Sequence, residues 1–255
     1  MVQSKKSKPL RNSSSTLLSM CIKCVARNMR LYENNDYFIK LPRHLKTKII
    51  RFITRCLQEI YVPSFQILLN DAITNLNLVS FDTDDNLLLN ISMKSTNIQS
   101  LYFKGTSKNL SYEGILQVSK LRLLKQLEIF NCFLVNDQFI ENLATSCTSL
   151  NHLSIPGSQI SDDCFNSLQK LALKNLNVSN TKISDKFLYN ISKSELVDHL
   201  EELNVSNNKK VTNLGLSKLP WETLKYVAFH GCNTDETLFD VIQPATKFMM
   251  WSVPC

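Results

Sequence analysis

Apolar residues fall at the first, fourth and sixth places of a short unit that recurs down the chain. The unit appears as Ile73/Leu76/Leu78, Ile98/Leu101/Phe103, Leu124/Leu127/Ile129 and Leu150/Leu153/Ile155. It continues as Leu173/Leu176/Val178, Leu200/Leu203/Val205, Leu224/Val227/Phe229 and Phe248/Trp251/Val253. Successive units start 23 to 27 residues apart. Alternation inside the unit predicts a short strand whose fourth and sixth residues point inward, while the third, fifth and seventh line an exposed face. The ninth place carries a small, polar or sulfur-bearing residue: Cys132, Ser158, Thr181, Asn208 or Cys232. A β-branched anchor and a capping pair follow, as in Ile160-Ser161-Asp162, Ile183-Ser184-Asp185 and Val211-Thr212-Asn213. Ser, Thr and Asn cap helices well, so each unit predicts a helix next, with Phe165 and Leu168, or Phe187, Leu188 and Ile191, packing back on the strand.

A period near 25 is that of a leucine-rich repeat. No unit can bury its apolar edge alone, so neighbours must stack. The expected fold is α/β: a right-handed solenoid of about seven repeats plus a closing strand, with one parallel sheet on its concave side. Trp251 and Val253 would supply the last inward residues. Before Ile73 the period becomes helical. Leu17, Leu18, Cys21, Cys24 and Val25 fit one face of a helix over 16–32. Leu41-Pro42 opens a second helix reaching residue 60, with Leu45, Ile49, Ile50, Ile53, Leu57 and Ile60 on its apolar side. Pro63-Ser64 is expected to break it, with Phe65 to Leu69 as a turn into the first strand. The chain thus divides into a disordered basic tail (1–14), a helical cap (15–72) and the solenoid (73–255).

Charge sharpens this division. Residues 1–60 hold 13 Lys or Arg against the three acids Glu33, Asp36 and Glu59, whereas the rest carries 16 bases and 19 acids. The basic end points to an acidic partner, a nucleic acid or an import signal, or to a solvated helix face. Nucleic acid ranks low, because the cations lack aromatic interleaving and no nucleic-acid motif occurs. No apolar run reaches membrane-span length, so no membrane partner is expected. The eight cysteines follow no secretory leader, and the sequons at Asn177 and Asn204 lie inside strand patterns. Reduced thiols and a cytoplasmic or nuclear location follow as expectations.

Candidate chemistry is sparse. The Cys21-x-x-Cys24 pair has metal-ligand spacing but no second pair, and its place on an apolar helix face favours core packing. The four histidines (44, 152, 199, 230) build no HExxH and no cluster with carboxylates. With only five glycines the chain has no GxGxxG, no Walker loop and no GxSxG elbow. Neither catalysis nor a metal or cofactor is expected. The concave row is the better candidate, for Tyr102, Lys104, Glu128, Phe130, His152, Tyr226 and His230 fall there. Exposed aromatics in such a row are the kind that anchor a protein ligand.

The stretch "LKQLEIFNCFLVNDQFIENLATSCTSL" from Leu124 to Leu150 resembles the cysteine-containing leucine-rich repeats of F-box proteins. "LLSMCIKCVARNMRLY" followed by "LPRHLKTKIIRFI", with the later "FHGC" and "WSV", is similar to one branch, the antagonist-of-mitotic-exit-network homologues of animals. The resemblance implies a protein-binding adaptor: the target-recognition component of an SCF-type (Skp–cullin–F-box) ubiquitin ligase that sends its target to the proteasome. Its alternative is a cell-cycle regulator that sequesters a signalling protein without a ligase. On the first reading Leu41, Pro42, Leu45, Ile49 and Ile50 would dock on the Skp adaptor. About 31 residues separate Leu41 from Ile73, so a third F-box helix is short or missing.

Overall fold

A computed structural model of the chain describes residues 16–32, 36–56 and 62–238. The cap contains α1 (Leu17–Arg27), α2 (Asp36–Ile39), α3 (Arg43–Cys56) and α4 (Val62–Leu68). Seven strands follow: β1 (Asn75–Asn77), β2 (Ser100–Lys104), β3 (Gln126–Phe130), β4 (His152–Ser154), β5 (Asn175–Asn177), β6 (Glu202–Asn204) and β7 (Tyr226–Ala228). They form one parallel sheet in sequence order. The convex side carries α5 (Asp85–Lys94), α6 (Tyr112–Leu116), α7 (Asp137–Ser146), α8 (Phe165–Leu168), α9 (Asp185–Ser192) and α10 (Asn213–Leu216). This is a leucine-rich-repeat solenoid. The strand expected from Phe248, with Trp251 and Val253, and the tail 1–14 lie outside the described residues.

Register follows the repeat without a slip. Leu76 faces Leu101, Leu101 faces Leu127, and the pairing runs on through Leu153, Leu176 and Leu203 to Val227. The first, fourth and sixth places are buried in every unit from Ile73 to Phe229. Each such Leu or Ile contributes roughly 1.5–3 kcal/mol of apolar burial before ordering entropy is subtracted. Where the chain leaves the strand, the eighth residue turns left-handed: Asn131, Asn180 and Asn207 at φ of 53–61°, Gly157 and Gly231 at 71° and 70°. Only Gly and Asn adopt this region readily, which fixes the choice at that place.

A second ladder joins the convex turns. Asp137 accepts from the backbone N–H (2.8 Å) and the hydroxyl (2.6 Å) of Ser161, the cap of the next unit. Asp162 does the same for Ser184, and Asp185 for Thr212. Asp85 accepts from the Ser111 N–H at 2.7 Å. The Asp after each capping residue therefore holds the cap one repeat further on. Tyr112 stands where a further Asp would be, and its buried hydroxyl has no hydrogen-bond partner among the described residues. Gly215 is dictated by the same contact, since a Cβ there would collide with the Asp185 carboxylate.

The cap closes the N-terminal end by burying Ile49, Ile50 and Ile53 of α3 together with Phe65 and Leu68 of α4. Buried Ser64 donates to the Met29 carbonyl at 2.8 Å and ties α4 to the turn after α1. Two expectations need correction. Phe65 to Leu69 is not a turn: Pro63 sits in the first turn of α4, where no N–H is required, so it starts a helix instead of ending one. Cys21 and Cys24 do not pack in the core either. Helix α1 turns Ala26 fully inward and Ile22 and Val25 partly, which leaves both thiols exposed. At the last described strand Trp221 meets Phe229 edge to face at 6.3 Å, and its indole N–H donates to the Leu216 carbonyl.

All seven described cysteines are free, and Cys255 lies outside the described residues. Burial lifts the Cys147 thiol to about 11. It raises Cys164 further, helped by the carboxylates of Asp137, Asp162 and Asp163. Desolvation also raises Cys132. A protonated, enclosed thiol is a poor nucleophile. With a disulfide reagent at about pH 8, Cys21, Cys24 and Cys56 should label fast, and Cys132, Cys147 and Cys164 only on unfolding. Fast labelling of any of the latter three, located by mass spectrometry, would contradict this packing.

Candidate functional site: the concave face

Strand alternation puts Gln126, His152, Asn175, Glu202 and Tyr226 in one exposed row, neighbours across the sheet. Glu128, Ser154, Asn177, Asn204 and Ala228 form a second row beside it. Between them lies a depression of about 280 Å³, lined among others by Glu128, Phe130, His152, Glu202 and Tyr226.

Local hydrogen bonds prepare these side chains. Asn177 and Asn204 accept through Oδ1 from the backbone N–H two residues on, Ser179 at 3.1 Å and Ser206 at 3.0 Å. Committing the carbonyl oxygen in this Asx turn leaves each Nδ2 amine to donate elsewhere. Two fixed amide donors thus stand on adjacent strands. Glu128 Oε1 lies 3.1 Å from His152 Nε2, and both side chains are about three-quarters covered. Tyr102 and Ser100 donate to Gln126 Oε1 at 2.6 and 3.1 Å. Along the rim Glu201 holds Lys225 at 2.6 Å and Lys174 at 3.6 Å. The hydrogen bond and charge of Lys225 keep the Glu201 carboxyl below its usual range against an opposing desolvation, and Lys174 adds a smaller pull in the same direction.

Amide donors, carboxylate acceptors and half-covered aromatic rings in one trough suit a polypeptide with both backbone and side chains to offer. The structure brings Glu128, Phe130, His152 and Tyr226 together at the trough. Tyr102 and Lys104 stand nearer the N-terminal end on β2, and His230 is exposed on the turn after β7. Sequence reasoning missed Asn175 and Glu202 as site residues, although the same alternation places them. Among the described residues no three His, Cys, Asp or Glu side chains gather as a metal site.

The cap residues assigned to an adaptor do not form one edge. Pro42 is exposed and Leu41 and Leu45 are half-buried, but Ile49 and Ile50 are only 3% and 1% accessible. Those two isoleucines lie in the core that α3 shares with α1, α4 and β1. Nearby, Lys46 donates to the Ile39 carbonyl at 2.7 Å. Partial burial, then the charge of Lys94, lowers its ammonium pKa.

No family model and no curated protein matches the chain. Among solved structures, an internalin of Listeria monocytogenes is similar at 22% identity and a TM-score of 0.48, over 74% of this chain and 50% of the internalin. The chain thus spans about half the internalin's length. A chain of the yeast Rad7 and Elc1 complex is similar at 14% identity and a TM-score of 0.39, over 92% of this chain and 86% of that one. The solenoid itself follows from this chain's own repeat and register.

Proposed function

We propose that this chain is a protein-binding receptor that grips a segment of a target protein in the concave trough. The cap then joins it to an SCF-type ubiquitin ligase, so that it acts by recognition and not by catalysis. The observation that carries the receptor reading is the trough, where Phe130 and Tyr226 flank fixed amide donors and the Glu128–His152 pair. Aromatics that bury on contact supply most interface energy, while polar neighbours set orientation and exclude wrong partners. The ligase half is supported by the F-box-like opening at Leu41-Pro42, whereas the short α4 departs from a full F-box. The burial of Ile49 and Ile50 favours the alternative, a cell-cycle regulator that sequesters its partner without a ligase.

The test is affinity purification of the full chain from cells, wild type against Phe130→Ala/Tyr226→Ala. Each truncation is expected to weaken target capture about tenfold, while Skp and cullin stay bound to both forms. A variant that keeps every partner would remove the trough from the account. Wild-type protein that holds a target but neither Skp nor cullin would leave the sequestering reading in place.

A further inference from the structure

Helix α1 is apolar on two sides. Its inner side, with Ile22, Val25 and Ala26, packs on the cap. Leu17, Met20, Cys21 and Cys24 lie on the other side, at spacings of three, four and seven that keep them within an arc of about 100°. Leu17 is 77% and Met20 55% accessible, and both thiols are exposed. Leu31, in the following short helical turn, is 76% accessible. Lys23 and Arg27 flank the stripe, and neither has an ion pair among the described residues. The groove between α1 and α3 adds Lys48, Arg51 and Arg55. Neither helix contains an acid. In the sequence before α1 stand Lys5, Lys6, Lys8 and Arg11, and the first acid of the chain is Glu33.

We propose that the outer face of α1, with the cations beside it, docks this protein on an anionic membrane surface. The stripe is a ridge, the shape that settles among lipid headgroups and upper acyl chains with its helix axis in the plane of the bilayer. Its flanks carry cations and no acid, complementary to an acidic leaflet. Each cation held near such a surface tightens binding about fivefold. A short apolar stripe and a cluster of cations are each marginal alone and sufficient together. A second copy of the chain fits worse, because pairing two stripes would bring Lys23 and Arg27 against their own kind. Docking of this sort needs no spanning segment, and no helix among the described residues is long and apolar enough to be one.

The measurement is co-sedimentation of the full chain with vesicles of phosphatidylcholine alone or mixed in equal parts with phosphatidylserine. The protein should pellet with the mixed vesicles, stay in solution with the neutral ones, and be released by added salt. Leu17→Glu/Met20→Glu/Leu31→Glu should weaken vesicle binding at least about tenfold. Because these side chains are exposed, the melting curve by circular dichroism should not move. Lys23→Glu/Arg27→Glu gives a second route to the same loss with the stripe intact. Protein that ignores the mixed vesicles overturns the proposal, and so does vesicle binding that survives both variants. A wild-type dimer in sedimentation velocity that the triple variant abolishes, without vesicle binding, would assign the stripe to a second copy. Concave-trough variants should bind vesicles normally, so this result and the receptor reading stand or fall separately.

Discussion

Asn208→Ala should destabilise the fold by about 3 kcal/mol, more than any substitution confined to the solenoid's surface. The side chain is fully buried and makes four hydrogen bonds. Its amine donates to the carbonyls of Val178 (2.9 Å) and Val205 (2.8 Å). Its oxygen accepts from the Thr181 N–H (2.7 Å) and hydroxyl (3.2 Å). One amide therefore ties two repeats where both chains leave the sheet. Truncation leaves the Thr181 N–H without its partner and opens a small void. On truncation the Thr181 hydroxyl, which lies 2.9 Å from the Val178 carbonyl, is free to turn wholly to it, and the Cys232 thiol still reaches the Val205 carbonyl. Thermal unfolding should shift down by about 6–12 °C for a chain of this size. A shift within the scatter of surface variants would mean that the turn relaxes around the loss.

Asp185→Ala should cost about 2–3 kcal/mol, the next largest effect. Its carboxylate takes the Thr212 N–H and hydroxyl, both at 2.7 Å, and packs against Gly215. The loss orphans a backbone donor at the cap of α10 and loosens the cap itself, since Thr212 also accepts from the Leu214 N–H. Asp185→Asn should cost about half as much, because an amide oxygen still accepts the N–H but without charge. The next unit contains such a rung: Asn213 accepts from the Asp235 N–H at 3.2 Å. Denaturant titration of both variants checks the order. Equal losses would assign the effect to packing instead of to hydrogen bonding.

The repeat was legible because burial of three apolar ladders is a strong constraint on composition at fixed spacing. Leu76 to Val227 could be placed without any knowledge of contacts. The helical cap was legible as a change of period but not in its orientation. Cys21 and Cys24 share an apolar stripe with Leu17, and periodicity alone cannot say which of two apolar faces of α1 meets the core. Ile49 and Ile50 were legible as apolar, whereas their burial depends on how α3 packs against α1, α4 and β1. In the trough, alternation pointed to Glu128, Phe130, His152 and Tyr226. The fixed amines of Asn177 and Asn204 depend on an Asx turn that the strand pattern does not announce. The left-handed eighth place had a visible signature, Asn or Gly in five units, that is intelligible only once its φ is known.

The unslipped register also sets a ruler across the trough. Neighbouring strands lie about 4.8 Å apart, whereas an α-helix advances about 5.4 Å per turn. A partner helix laid across the strands would gain about 0.6 Å per strand and fall half a spacing out of step after about four. An extended partner, at about 3.4 Å per residue with alternate side chains facing away, would keep step more poorly and could match only every fourth side chain. The trough is therefore nearly commensurate with about one helical turn per strand over two or three neighbouring strands, and a straight helix loses step across the full stretch from Glu128 on β3 to Tyr226 on β7.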